Sequence, residues 1–228
     1  MTVTMTLGRH VEHDERSRGY LAALDPEPRT VKHRHFGPVL SQGQVSSCTG
    51  NAVAQAMNCA PLHRTRSGIS GPELVLRSDK LLTEKDAVRI YTRGTELDNV
   101  PGQMPGQDTG STGIAVAKAA VEEGLIASYR HAFGVDQLVA ALSLTAVIVG
   151  TVWDKSMFIP DKLSRLHPDG NEVGGHEYVL MAQNLEKKYF TLLNSWGNQW
   201  ARGGYAYISF EDMAGLLARQ GDVTVLVR

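Results

Sequence analysis

The sequence has few cysteines, almost no net charge and no long apolar run. Its 228 residues include two cysteines, and 23 Lys and Arg against 24 Asp and Glu leave a formal net charge of -1. A nearly neutral chain has no electrostatic footprint for nucleic acid, so we expect no nucleic-acid partner. No apolar run approaches the roughly 20 residues of a membrane helix, so we expect no membrane partner either.

The N-terminus and the cysteines indicate the compartment. The first residues lack the basic start and apolar stretch of a secretory signal. Cys48 and Cys59 would lie about 16 Å apart on one helix, which is too far for a disulfide. A reducing compartment suits such a chain, and we expect a cytoplasmic protein that is a monomer.

Apolar periodicity predicts helices in the first part of the chain and strands in the second. Helical patterns cover 51–60, 73–93, 114–123 and 136–142. The second is stopped by Gly94 and is either continuous or broken near Asp79 or Thr83, and the third is closed by Gly124. Strand patterns cover 146–153, 177–183, 189–193, 204–210 and 223–227. This order predicts an α+β fold.

A thiol and three possible partners stand out. Cys48 follows a loop of Gly and Ser and precedes an Ala-rich run, so we expect it in the first turn of a helix, where the helix dipole favours the thiolate. His176 opens a strand pattern, and Asn194 follows another, where its amide could accept from the imidazole. Gln42 lies in the loop before Cys48, where its amide could donate to an oxyanion.

These four positions, in this chain order, resemble the papain-like cysteine peptidases. The segments Gln42-Gly43 and Ser47-Cys48 are similar to that family's nucleophile segment, and Asn194-Ser195-Trp196-Gly197 is similar to its asparagine segment. The stretch 108–111 resembles bacterial members. Thr49 replaces the usual aromatic residue after the nucleophile, and Val45 stands where a disulfide cysteine is expected, which indicates a bacterial-type member without disulfides.

The resemblance implies two subdomains with the active site in the cleft between them. A mainly helical half, residues 36–135, would supply Cys48, and a β-rich half, residues 136–228, would supply His176 and Asn194. Cys48 and His176 would form a thiolate–imidazolium pair that cleaves peptide bonds through a thioester. Gln42 and the Cys48 N–H would hold the oxyanion. No cofactor is implied, and we expect no metal, because the histidines of the first 35 residues lack ligand spacing.

The resemblance also implies a peptide or protein substrate and a set of substrate-binding residues: Gly110, Ser111, Gly175, Glu177 and Trp196. Trp196 would shield the bond between Asn194 and His176. Glu177 stands where the family usually has a small residue beside its main specificity pocket. Its carboxylate either favours a basic side chain at that subsite or forms a salt bridge with a nearby arginine.

Residues 1–35 form a polar, proline-containing extension before the two subdomains. Because it ends shortly before Gln42, we hypothesise that it runs through or beside the cleft and inhibits the enzyme. Two further functions share the same residues. One is a catalytically silent binding module, and the other is a ligase or transamidase whose thioester is resolved by an amine.

Overall fold

The computed structural model describes residues 5–12, 27–64 and 79–228. These ranges contain five α-helices: α1 (Cys48–Met57), α2 (Glu84–Leu97), α3 (Gly113–Glu122), α4 (Gly134–Leu142) and α5 (Phe210–Ala218). They also contain nine strands: β1 (Arg9–His10), β2 (Val31–Lys32), β3 (Ser111–Thr112), β4 (Ser128–Ala132), β5 (Val147–Asp154), β6 (Glu172–Asn184), β7 (Tyr189–Leu193), β8 (Tyr205–Ser209) and β9 (Asp222–Val227).

One antiparallel sheet of seven strands organises the second half of the chain. Its order is β4-β9-β5-β6-β7-β8, and β2 pairs with the end of β6. Successive side chains of a strand point to opposite faces, so β5 sends Val147 and Val149 to one face and Ile148 to the other. Helices α4 and α5 cover the first face, and α1 and α3 cover the second. The sheet therefore lies between two apolar cores.

The predicted α+β class is confirmed: helices α1 to α3 form one half, and the antiparallel sheet forms the other. The division of the chain at residues 35 and 135 stays a prediction. The strands β2 and β4 lie before those two boundaries, yet both belong to the large sheet. In the ranges that the structure describes, no helix is long and apolar enough to cross a membrane.

Helix α2 differs from its prediction at both ends. It begins at Glu84, after a capping box in which Thr83 and Asp86 exchange hydrogen bonds. Residues 73–78 of the predicted helix lie outside the described residues. At the other end, α2 continues through Gly94, where a Cβ would lie 2.8 Å from Cγ1 of Val116. The glycine lets α2 and α3 approach each other closely and does not end the helix.

Apart from the two-residue strands, one strand and one α-helix have no counterpart in the sequence prediction. Strand β4 is short and only partly buried, and α5 buries two side chains, Met213 and Leu216. Neither segment therefore carries a long apolar stripe, which is the signal that periodicity detects. Pairing with β9 forms β4, and packing over the sheet buries the inner side of α5.

Candidate active site

Cys48 is the first residue of α1 and is completely buried. The backbone amides of Glu177 and Thr49 face its thiol. Thr49 belongs to the same helical turn, whereas Glu177 belongs to β6, in the other half of the molecule. The thiol therefore lies at the junction between the two halves, beside the residue that follows His176.

His176 is oriented by Asn194, which directly follows the neighbouring strand β7. The Nε2 atom of His176 lies 2.7 Å from Oδ1 of Asn194, and the same Oδ1 accepts from the backbone N–H of Ser195 at 2.8 Å. Because an amide oxygen only accepts, Nε2 must carry the proton. The basic atom is then Nδ1, which has no hydrogen-bond partner among the described residues.

Aromatic rings enclose this hydrogen bond. Trp196 stacks on His176 with 4.6 Å between ring centroids, and Trp153 meets the imidazole edge-on at 4.9 Å. Both indoles are almost fully buried. Excluding water in this way strengthens the bond between His176 and Asn194, because the local dielectric constant falls.

Gln42 is held in place through both ends of its side-chain amide. Its oxygen accepts from Oγ of Ser195 at 2.7 Å, and its nitrogen donates to the carbonyl of Val45 at 3.0 Å. The backbone N–H of Gln42 also donates to the carbonyl of Ser195 at 2.9 Å. An amide nitrogen carries two N–H groups, so the bond to Val45 uses one and leaves the other for a substrate oxygen.

Residues 5–12, which we call the arm, cross the site. Strand β1 of the arm pairs in parallel with β3. The carbonyl of Gly8 accepts from the N–H of Ser111 at 2.9 Å, and the N–H of Gly8 donates to the carbonyl of Gly175 at 3.2 Å. Ser111 belongs to one wall and Gly175 to the other, so the arm connects both walls of the cleft.

The arm and the cleft fit so closely that three contacts require glycine. A Cβ on Gly8 would lie 2.1 Å from the carbonyl oxygen of Ser46. A Cβ on Gly110 or on Gly175 would lie 2.3 Å from an arm carbonyl oxygen, that of Gly8 or of Arg9 respectively. Real Cβ atoms do not approach other atoms this closely, so a side chain at any of these positions excludes the arm.

Further contacts hold the arm beyond these glycines. The hydroxyl of Thr6 donates to the carbonyl of Gly43 at 2.9 Å, and Nε1 of Trp196 donates to the carbonyl of Thr6 at 3.1 Å. At the other end, Glu12 accepts from the side chains of Asn99 and Thr112 at 2.8 and 2.9 Å. The arm is therefore bound along its whole described length.

With the arm in place, both reacting groups are neutral. Burial, followed by the nearby charge of Glu177, raises the pKa of the Cys48 thiol to about 12. Burial also lowers the pKa of His176 to about 4, although the bond to Asn194 opposes this shift. The thiolate–imidazolium pair expected from the sequence is therefore disfavoured in this closed arrangement, because both side chains are fully buried and burial penalises their charged forms.

All five residues predicted to bind substrate lie around the arm. Gly110, Ser111, Gly175 and Trp196 contact its backbone, as described above. Glu177 lies deeper, in a pocket that holds the side chain of Arg9. Burial, together with the neighbouring Asp222, raises the pKa of Glu177. An arginine therefore lies near Glu177, but its ion pair is with Asp222, and the salt bridge considered for Glu177 is not formed among the described residues.

Several residues that build the site were not found from the sequence. Asp108 accepts from the N–H of Ser46 at 2.9 Å and from the hydroxyl of Tyr91 at 2.6 Å, and that hydroxyl accepts from the N–H of Gly110 at 2.9 Å. This chain of bonds ties the nucleophile loop to the substrate-binding loop. Arg9 and Asp222 were also missed. The sequence does contain a signal for Asp222, because it is a charged residue at the first position of the otherwise mainly apolar strand β9.

Within residues 5–12, 27–64 and 79–228, no cluster of three or more His, Cys, Asp or Glu side chains could hold a metal ion. Nε2 of His33 donates to the carbonyl of Leu142 at 2.7 Å, and Nδ1 of His35 lies 3.2 Å from the hydroxyl of Tyr205. These two histidines are thus part of the packing between the extension and the sheet.

The helical half, the antiparallel sheet and the cysteine and histidine at their junction define a papain-like peptidase fold. Comparison with solved structures shows the same fold. Xylellain, a cysteine protease from Xylella fastidiosa, is 18% identical with a TM-score of 0.59, and the match covers 97% of this chain and 95% of that one.

Two further structures share the fold. The bromelain protease from Ananas comosus, in complex with the E64 inhibitor, is 14% identical with a TM-score of 0.55 over 84% of this chain and 93% of that chain. Digestive procathepsin L 3 from Tenebrio molitor is 13% identical with a TM-score of 0.59, and the match covers 98% of this chain and 76% of that chain. No family model and no curated protein sequence matches this chain. The likeness therefore concerns the fold.

Proposed function

We propose that this chain is a cysteine peptidase and that its arm keeps the active site closed. The observation that carries the proposal is the orientation of His176, which is bonded to Asn194 at 2.7 Å and stacked on Trp196. The next residue in β6, Glu177, turns its backbone amide to the helix-start thiol of Cys48. A thiol nucleophile needs a base that a third group orients. The cysteine proteases with the same fold support this function.

In the proposed reaction, Nδ1 of His176 takes the thiol proton, and Sγ of Cys48 attacks the peptide carbonyl carbon. The oxyanion accepts from the Cys48 N–H and from the second N–H of Gln42. His176 then gives its proton to the leaving amine, and a thioester remains. Finally, His176 accepts a proton from water, which attacks the thioester and releases the acid and the thiol.

The arm is proposed to block this reaction in two ways. It fills the cleft with its own backbone, and it removes water, so that Cys48 and His176 stay neutral. Departure of the arm would hydrate both groups and favour the ion pair. The presence of a procathepsin among the similar structures is consistent with a segment that precedes the peptidase part of the chain.

Covalent labelling of Cys48 by the epoxide E64 tests the proposal. Gly8→Ala should displace the arm, because its Cβ would lie 2.1 Å from the Ser46 carbonyl oxygen. We expect slow labelling of the wild-type chain and labelling at least about tenfold faster in Gly8→Ala, which corresponds to about 1.4 kcal/mol against arm binding. Mass spectrometry of the intact chain and of its peptides gives the rate and the modified residue.

The matched control is Val11→Ala, which changes an arm side chain that is 41% exposed, and it should label like the wild type. Cys59 serves as an internal control, because burial raises its pKa to about 12 as well and it should stay unlabelled. If folded Gly8→Ala leaves Cys48 unmodified, the chain is not a thiol peptidase, and the binding module becomes the better reading.

Product analysis separates hydrolysis from transfer. Gly8→Ala should convert a reporter peptide to the free acid, and the acid should remain the main product when an amine nucleophile is added. A product in which the added amine has replaced water would instead identify a ligase or transamidase.

A further inference from the structure

A closed pocket beside the reacting groups holds the side chain of Arg9. The guanidinium forms an ion pair with Asp222 and donates to the carbonyl of Gln220 at 2.8 Å. The side chain of Arg9 is completely buried, although it belongs to an arm whose neighbouring residues His10 and Val11 are exposed. An arginine is rarely buried unless it is paired, so this pocket is built to receive one.

A second carboxylate borders the same pocket. Glu177 is fully buried, and neither of its oxygens has a hydrogen-bond partner within the described part of the chain. Nε and Nη1 of Arg9 are likewise without partners there. A buried polar atom without a partner is costly. The pocket therefore contains hydrogen-bond acceptors that the arm leaves unused.

Two glycines give the pocket its room. A Cβ on Gly113 would lie 3.0 Å from Oε1 of Glu177, and a Cβ on Gly150 would lie 2.5 Å from Nε of Arg9. Larger residues at either position would fill the space that the guanidinium and the carboxylate occupy. The cavity is thus shaped for a long, planar cation beside two acids.

The charges favour a cation for the same reason. Burial works against the charge of Arg9, but Asp222 outweighs it and the pKa of Arg9 is raised. Without a guanidinium, two carboxylates would face each other in a buried space, which is unfavourable. An apolar side chain in this pocket would leave Asp222 without its ion-pair partner and Glu177 without a neighbouring cation.

We propose that this pocket selects an arginine side chain in a peptide substrate, with Asp222 as its specificity-determining residue and Glu177 as a second acidic wall. The inference rests on the proposed function. It also fits the spacing of the arm: Gly8 lies against Ser46, two residues before Cys48, and Arg9 is the next residue. For a substrate that runs through the cleft in the direction opposite to the arm, with its own residue in the place of Gly8, the proposed pocket takes the second residue before the cleaved bond.

The test compares two peptides, Arg-Arg and Leu-Arg, that differ at that second residue. Binding of their acetylated amides is measured by isothermal titration calorimetry on the full chain with Cys48→Ala and Gly8→Ala, and hydrolysis of the matching reporters is measured with Gly8→Ala alone. Both measurements are repeated with Arg9→Ala in place of Gly8→Ala, because this substitution removes the side chain that occupies the pocket. We expect about tenfold to a hundredfold preference for Arg-Arg in both measurements. This is the effect of losing one charge-assisted hydrogen-bonded pair, because Leu-Arg has no guanidinium to pair with Asp222.

Adding Asp222→Asn should reduce the preference to about threefold or less, because the acceptor for the guanidinium loses its charge. The matched control is Glu186→Gln, the same loss of charge at an exposed site, which should keep the full preference. Equal binding of the two peptides, or a preference that survives Asp222→Asn, overturns the inference and leaves Arg9 as an anchor of the arm. Selective binding without hydrolysis supports the pocket and instead overturns the proposed peptidase.

Discussion

His176 depends on one side-chain acceptor for its orientation and its tautomer. Oδ1 of Asn194 receives the Nε2 proton, and the N–H of Ser195 keeps the amide oxygen turned towards the ring. Trp196 and Trp153 keep water away from this bond. The basic nitrogen is therefore Nδ1, on the side of the ring that Asn194 leaves unoccupied.

The first prediction concerns Asn194→Ala, made together with Gly8→Ala. Loss of one hydrogen bond to an imidazolium corresponds to about 1.5–3 kcal/mol. We therefore expect kcat/KM to fall by about tenfold to a hundredfold, because each 1.4 kcal/mol is about one factor of ten. Initial rates on a peptide reporter give the value, and the E64 labelling rate of Cys48 should fall in parallel.

Asn198→Ala is the control for this prediction, because Asn198 is an exposed asparagine in the loop that follows. It should keep kcat/KM within about twofold of the background, as surface substitutions usually do. An Asn194→Ala protein as active as Asn198→Ala would show that the orientation of His176 does not depend on this bond.

At the scale of elements, the contact between α2 and α3 places the substrate-binding loop. Gly94 lies in the interior of α2, and its missing side chain lets Val116 and Ser111 approach. The hydroxyl of Ser111 donates to Asp98, just beyond the end of α2, at 2.6 Å. Helix packing therefore holds the segment that pairs with the arm.

The second prediction compares Gly94→Ala with Gly215→Ala. Alanine normally stabilises a helix interior by about 1 kcal/mol relative to glycine. At Gly94 the added Cβ would lie 2.8 Å from Val116, so we expect overpacking to prevail and the free energy of unfolding to fall by about 1–2 kcal/mol. Gly215, in α5, has nothing within 4 Å of its Cβ position, so Gly215→Ala should raise it by about 0.5–1 kcal/mol.

Denaturant unfolding followed by circular dichroism measures both changes. Opposite signs at the two glycines are the expected result, since both substitutions have the same chemistry and differ only in the surrounding space. Stabilisation by Gly94→Ala would mean that α2 and α3 are less tightly packed than described.

At the scale of the whole molecule, the two described parts of residues 1–35 have different places in the fold. The arm crosses the cleft, whereas residues 27–35 pack on the sheet through β2. Arg29 donates to the carbonyl of Ser143 at 3.0 Å, and its own carbonyl accepts from Gln183 at 2.9 Å. Removing the arm and removing the whole extension are therefore different experiments.

The third prediction compares chains that begin at Glu27 and at Phe36. The first should label rapidly at Cys48 and unfold cooperatively, because β2 and its bonds remain. The chain that begins at Phe36 should have a free energy of unfolding at least about 2 kcal/mol lower, because the loss of residues 27–35 leaves buried groups of Ser143 and Gln183 unpaired. Thermal and denaturant unfolding measure the difference, and equal stability of the two chains would contradict the packing role of residues 27–35.

Local sequence was sufficient for the features that depend on near neighbours. The Gly- and Ser-containing loop before an Ala-rich run determined that Cys48 begins a helix, and the apolar pattern determined the bounds of β7. Both signals arise from capping and from side-chain periodicity within a few residues. The family-like segments around Cys48 and Asn194 predicted the candidate site in the same local way.

Only the tertiary structure decided the features that join distant parts of the chain. The sequence predicted a helix end at Gly94, whereas in the fold this glycine is a packing contact between α2 and α3. Strand β4 forms because it pairs with β9. Arg9 and Asp222 are separated by 213 positions, and neither carries a local signal of the other. No periodic pattern encodes such a pair, because the closing of the fold around the arm brings the two charges together and buries them.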